Sequence, residues 1–207
     1  MDKRIRTYNR IAATVVFFIV PLLLYGLGNF PRRALYKELL SLMTITAFFG
    51  LLMQFYLSRA NKGMLQGFKM SGIIKWHKTL GYIFLGILFF HPFFVILYHL
   101  FQPGLTFSEA FTEVIDNFNK TGLLLGLIAW ILMIVIGLMA IFRKSIFKNY
   151  RTWRLWHGGV SLAFITLAAI HAIDIGRHMN LYMSLFIAVI LVIATYKLFT
   201  VYLIKRN

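Results

Sequence analysis

Cysteine is absent from this chain of 207 residues, and acidic residues are few, with 6 Asp and Glu against 22 Lys and Arg. The first absence removes disulfides, iron–sulfur clusters, thiolate nucleophiles and covalently attached c-type haem. Any metal centre must therefore draw on His, Met or oxygen ligands. No glycine-rich dinucleotide fingerprint occurs in the sequence, so no loop of that kind offers backbone amides to a pyrophosphate. Long polar stretches are also missing, which leaves no room for a second folded unit and predicts a single domain over 1–207. Charged residues make up only 14% of the chain, against about a quarter in a soluble domain.

What is present is apolar. Hydrophobic residues are 60% of the total, and a domain of this size buries too small a share of its surface to hide them from water. Lipid is the expected solvent. The formal net charge of +16 also raises nucleic acid as a partner. However, no basic stripe stands apart from the flanks of the apolar runs, where Lys and Arg set topology and meet anionic headgroups. Nucleic acid is therefore not expected. The opening MDKRIRTYNR resembles the charged region of a signal peptide, but the apolar run behind it continues without an obvious small-residue cleavage site. It reads as a retained first helix.

Runs long enough to cross a bilayer, about 20 residues, fall at 11–28, 38–58, 79–101, 121–142, 156–175 and 180–204. They predict an all-α polytopic bundle of six transmembrane helices, multi-pass in the inner or plasma membrane of a bacterium. Seventeen of the cationic residues fall at the N-terminus, in the second and fourth connections and at the C-terminus. The opposite side holds only Arg32, Arg33, Lys37, Lys120 and Arg177. The positive-inside rule then puts both termini in the cytoplasm, with Arg32 and Arg33 as mild exceptions. On the outer side, Glu109, Glu113 and Asp116 recur at i, i+4 and i+7, which predicts a short surface helix against the bilayer. Its acidic ridge reads as a solvated face or as a docking surface for a cationic partner or ferric complexes.

All six histidines, His77, His91, His99, His157, His171 and His178, belong to the third and fifth runs or their ends. His77 and His91 are fourteen residues apart, and so are His157 and His171. Fourteen steps of about 100° fall roughly 40° short of four full turns, so each pair shares a helix face, separated along it by about 21 Å. Both runs are expected to point outwards, so His77 comes level with His157 near the cytoplasm and His91 level with His171 nearer the outside. Two facing neutral imidazoles can bind one haem iron axially, and doing so twice stacks two haems along the membrane normal. Gly81, one turn after His77, and Gly158 and Gly159, beside His157, would let a flat macrocycle approach. Phe84 and Phe164 lie midway between the two levels, where a ring could fill the gap.

Other readings stand beside this one. Membrane histidines can serve as packing partners, or as relays in a proton or metal-ion transporter. A zinc or copper site would need its ligands clustered rather than four turns apart. His99 and His178, beside Arg177 at the outer boundary, could form another metal site, hold a propionate or acceptor, or be plain interfacial residues. At the inner end Lys75, Trp76 and Lys78 flank His77, and Arg151, Trp153, Arg154 and Trp156 flank His157. They form an ordinary interfacial belt, and cations such as Arg154 also suit propionate pairing and the docking of an acidic or flavin-bearing donor.

Two stretches carry a resemblance. His77-Lys-Thr-Leu-Gly81 running on to His91-Pro92, and Tyr150-Arg-Thr-Trp-Arg-Leu-Trp-His157 running on to His171, resemble the ferric reductase-like transmembrane domain of ferric reductases, NADPH oxidases and bacterial relatives. The resemblance implies two non-covalent b haems held by His77, His91, His157 and His171, with electrons entering from the cytoplasm and leaving outwards. Full-length reductases of this kind continue into a flavin- and nicotinamide-binding module. The expectation is therefore that this polypeptide cannot oxidise NAD(P)H alone. Flavin enters only through a separate cytoplasmic flavoprotein, or quinol is the donor. The acceptor would be ferric iron, oxygen or an extracytoplasmic reductase partner. The quinol-fed arrangement is similar to the haem subunit of a methionine sulfoxide reductase system.

Overall fold

The computed structural model describes residues 3–31, 33–57, 68–100, 104, 106–116 and 120–200. Its elements are α1 (Lys3–Thr14), a π-helical turn (Val15–Ile19), α2 (Val20–Leu27), α3 (Leu35–Tyr56), α4 (Met70–Leu100), α5 (Phe107–Asp116), α6 (Thr121–Ile141), α7 (Arg143–Ile146), α8 (Tyr150–Ile175) and α9 (Leu181–Phe199). No strand occurs among the described residues. Six helices are long and apolar enough to cross a membrane: α1 to α2 through the π turn, then α3, α4, α6, α8 and α9. The wide turn falls where Pro21 lacks the amide that would reach Phe17, and the local unwinding absorbs that loss.

Two helices begin earlier than the apolar runs. α4 starts at Met70 and α8 at Tyr150, against expected starts at 79 and 156. Hydropathy marks the lipid-facing stretch only, whereas backbone hydrogen bonding continues through the headgroup region under Lys, Arg and Trp. Asn149 caps α8 by accepting from the Arg151 amide at 2.8 Å, and Asn180 caps α9 by accepting from the Met183 amide at 2.9 Å. The earlier starts put His77, which lay before its expected run, on continuous helix, and put His157 well inside α8 rather than at its first turn. The ends of the expected runs at Ser58, Phe101 and 201–204 lie outside the described residues. So do Arg32, Arg59, Lys62, Lys205 and Arg206, five of the charges used to assign sides.

α3 occupies the centre. Every residue from Ala47 to Gln54 is buried, the mark of a helix covered on all sides. It packs against α2, α4 and α9, while α8 packs most extensively against α6. The two histidine-bearing helices, α4 and α8, are not among the closely packed pairs. The outward surface is rich in large apolar side chains, among them Leu27, Leu181 and Val192, as lipid solvation requires. The expected surface helix is present as α5. Glu109 accepts from both the Thr106 amide, at 2.6 Å, and the Thr106 hydroxyl, at 2.7 Å, and its own amide reaches the Thr106 oxygen at 3.3 Å. This reciprocal cap satisfies the free amides of the first turn.

Candidate functional site: two levels of paired histidines

Imidazoles of α4 and α8 face one another in two pairs. His77 faces His157 with ring centroids 6.4 Å apart, and His91 faces His171 at the same 6.4 Å. The ring planes in both pairs stand steeply to one another, at 68° and 80°. A metal ion bound by one nitrogen of each ring, at bonds of about 2 Å, sets the centroids roughly 6 Å apart. Both pairs fit that requirement. Among the described residues no three His, Asp or Glu come together as a metal cluster. A tetrahedral ion of the zinc kind needs three or four protein ligands, so paired axial ligation is the chemistry this donor set suits.

The outer pair has defined tautomers. Nδ1 of His171 lies 2.8 Å from the Gly122 carbonyl, which can only accept, so that nitrogen carries the proton. Nδ1 of His91 lies 3.4 Å from Thr44 Oγ1, and the Thr44 hydroxyl donates to the Leu40 carbonyl at 2.9 Å. The hydroxyl oxygen is then left to accept from His91. In both rings Nε2 keeps a free lone pair for a metal.

The inner pair differs. Nδ1 of His77 and of His157 are buried without a hydrogen-bond partner, as are Gln54 Oε1 and Trp153 Nε1. The indole of Trp153 stacks on the His157 ring at 5.1 Å and 19°, and the Arg143 guanidinium lies 5.3 Å from the Trp153 centroid. Buried polar atoms left open in one place fit a site that receives polar groups from a bound cofactor or water.

The remaining expected residues separate. No side-chain atom lies near a Cβ placed on Gly81 or Gly159, so both leave open space. Phe84 and Phe164 are buried in the core, and the Phe84 ring sits in the place a side chain on Gly50 of α3 would need. Arg154 is half-buried, and Arg177 is exposed and donates to the Pro31 carbonyl at 3.2 Å. His178 is buried between the rings of Tyr25 and Phe30, with centroids at 4.3 and 4.9 Å. Its Nε2 lies 3.1 Å from Arg33 and 3.6 Å from Glu38. Burial holds its imidazole below the ordinary histidine range, with Glu38 opposing that shift and Arg33 and Arg177 reinforcing it. The side chain of His99 lies outside the described residues.

Sequence reasoning missed Thr44, Gly122, Gly126, Gln54 and the pairing of Arg33. A polar residue within an apolar helix and the spacing G122-x-x-x-G126, which permits close helix approach, were the available signals.

The family described as Ferric reductase like transmembrane component matches residues 43–168. That stretch contains His77, His91 and His157 and ends three residues before His171. A relative from Archaeoglobus fulgidus, described as an uncharacterized protein, is 37% identical over 149 residues, covering 72% of this chain and 81% of its own length. No solved structure matches. The matched stretch takes in most of α3, all of α4 and α6 and most of α8, the elements that build both histidine levels, and on that ground the chain belongs to the ferric reductase like transmembrane component family.

Proposed function

We propose that this protein carries electrons across a membrane through two b haems, one between His77 and His157 and one between His91 and His171. The observation that carries the proposal is the equal spacing of the two pairs, 6.4 Å at both levels, on helices that are not among the closely packed pairs. A haem bound at each level supplies a one-electron couple. The protein supplies position. α4 and α8 hold the imidazoles opposed, α3 and α6 present acceptors to the outer pair, and the apolar surround excludes water, which lowers the reorganisation accompanying a change of charge.

The donor proposed is a separate cytoplasmic flavoprotein or quinol, and the acceptor an extracytoplasmic ferric species or reductase partner. The Lys and Arg at both termini support a cytoplasmic side for them. The cationic and aromatic inner end, where Arg143 covers Trp153 and Trp153 covers His157, supports electron entry there. A subunit of a methionine sulfoxide reductase system is a second form of the same reading.

Purified protein reduced with dithionite is expected to show a b-type α-band and two haems per chain. His91→Ala and His171→Ala should each lose one haem. A colourless protein, or variants that still hold two haems, would overturn the proposal. A transporter using the histidines as relays predicts the colourless result.

A further inference from the structure

The imidazole of His171 occupies space that only glycine leaves free. A Cβ built on Gly126 of α6 would overlap Nδ1 and Cε1 of that ring and lie 3.0 Å from its Cγ. The ring cannot simply swing aside, because its Nδ1 is held 2.8 Å from the Gly122 carbonyl, one turn earlier on α6. Gly122 is equally constrained, since a Cβ there would overlap the Asp174 carboxylate and stand 2.8 Å from Ile175. The two glycines let α6 approach α8 closely enough for a backbone carbonyl to reach a histidine on the neighbouring helix. Thr44 of α3 stands at His91 in the corresponding role. The inner rings have no such partner on Nδ1, although the backbone of Gln54 stands beside the His77 ring.

Resting on the di-haem reading above, we propose that Gly126 and Thr44 are positioning residues of the outer level: Gly126 seats the His171 ring, and Thr44 holds the Nδ1 proton of His91. An acceptor on Nδ1–H shifts an imidazole towards imidazolate and strengthens its donation to the oxidised metal. The outer centre is therefore held at a lower potential than the same two histidines would set without these partners. The two levels are chemically unequal although their spacings are equal.

Haem content and the potentials of the b-type α-band, measured by spectroelectrochemical titration of the full-length protein, test this. Gly126→Ala is expected to lose one of two haems, or to convert one from low-spin to high-spin. Gly137→Ala provides the control, since it lies on the same helix and a Cβ there meets nothing within 4 Å; it should retain both haems unchanged. Thr44→Val, which keeps the shape and removes the hydroxyl, should raise the potential of one haem and leave the other. Thr44→Ser should restore the original value.

The proposal is overturned if Gly126→Ala keeps two low-spin haems at unchanged potentials. It is equally overturned if Thr44→Val moves neither potential or Thr44→Ser behaves like it. A wild-type protein without haem would overturn the di-haem reading itself, and this proposal with it. Two haems in the wild type with unresponsive variants would sink the positioning roles alone.

Discussion

Arg33 stands where the first connection meets α3, and leaving a guanidinium unpaired there would be costly. Its Nε donates to Glu38 at 2.8 Å, while Nη2 donates to Ser41 at 2.6 Å and lies 3.1 Å from His178 Nε2. The Tyr25 hydroxyl donates to the second oxygen of Glu38. A cation on the expected outer side, a mild exception to the charge rule, is thus neutralised inside the protein. Arg33→Met leaves Glu38 partly buried without its counter-ion and should cost about 1–3 kcal/mol in thermal or denaturant unfolding in detergent. Arg33→Met with Glu38→Met should recover much of that loss, and a double variant as unstable as the single would contradict the pairing. His178 adds a pH dependence. Arg33 can only donate, so Nε2 accepts and the ring is neutral. Its pKa in the folded protein is below the ordinary value, so the unfolded chain takes up the proton first. The contribution is fully present above about pH 6.5 and is lost as pH falls from there towards the folded-state value. The melting temperature should fall between pH 7.5 and 5.5, and His178→Gln, which keeps an acceptor for Arg33, should flatten that fall.

Among the elements, α5 was read from three acidic residues at helical spacing, while its start, at the capping box that Thr106 and Glu109 form, came from the structure. Phe107 and Phe111 stack at 6.2 Å on its other side and are exposed together with Ile115, an apolar edge suited to the lipid boundary. Thr106→Ala should lower the local stability of α5 by about 1 kcal/mol. Hydrogen exchange confined to that helix would show it, and haem content should not change. α4 and α8 were harder to bound. Their first turns carry Lys, Arg and Trp, which hydropathy reads as loop although the backbone is helical. The consequence reaches the site, because His77 and His157 gain a rigid mount only when the helix extends past them.

At the scale of the molecule, the distribution of Lys and Arg sets the expected orientation, and the absence of cysteine makes it easy to check. Ser145, on α7, and Ser108, on α5, are both exposed. With a single cysteine introduced at either position, an impermeant thiol reagent applied to intact cells should label Ser108→Cys and spare Ser145→Cys. The reverse result would invert the path proposed for electrons. Six spans, a histidine ladder on two of them and the family were legible before any coordinates, because each depends on composition or on the period of one helix.

Composition and the length of the apolar runs by themselves therefore determined a six-span helical protein, and periodicity its two matched pairs of histidines, since a fixed rise and turn per residue places His77 over His91 and His157 over His171. It could not determine what stands behind those rings. Thr44 is 47 residues from His91, and Gly122 is 49 from His171, so no local pattern links them. Only the packing of α3 against α4 and of α6 against α8 brings Thr44 to His91 and the Gly122 carbonyl to His171. The tertiary structure made two histidine levels, equal in spacing, unequal in chemistry.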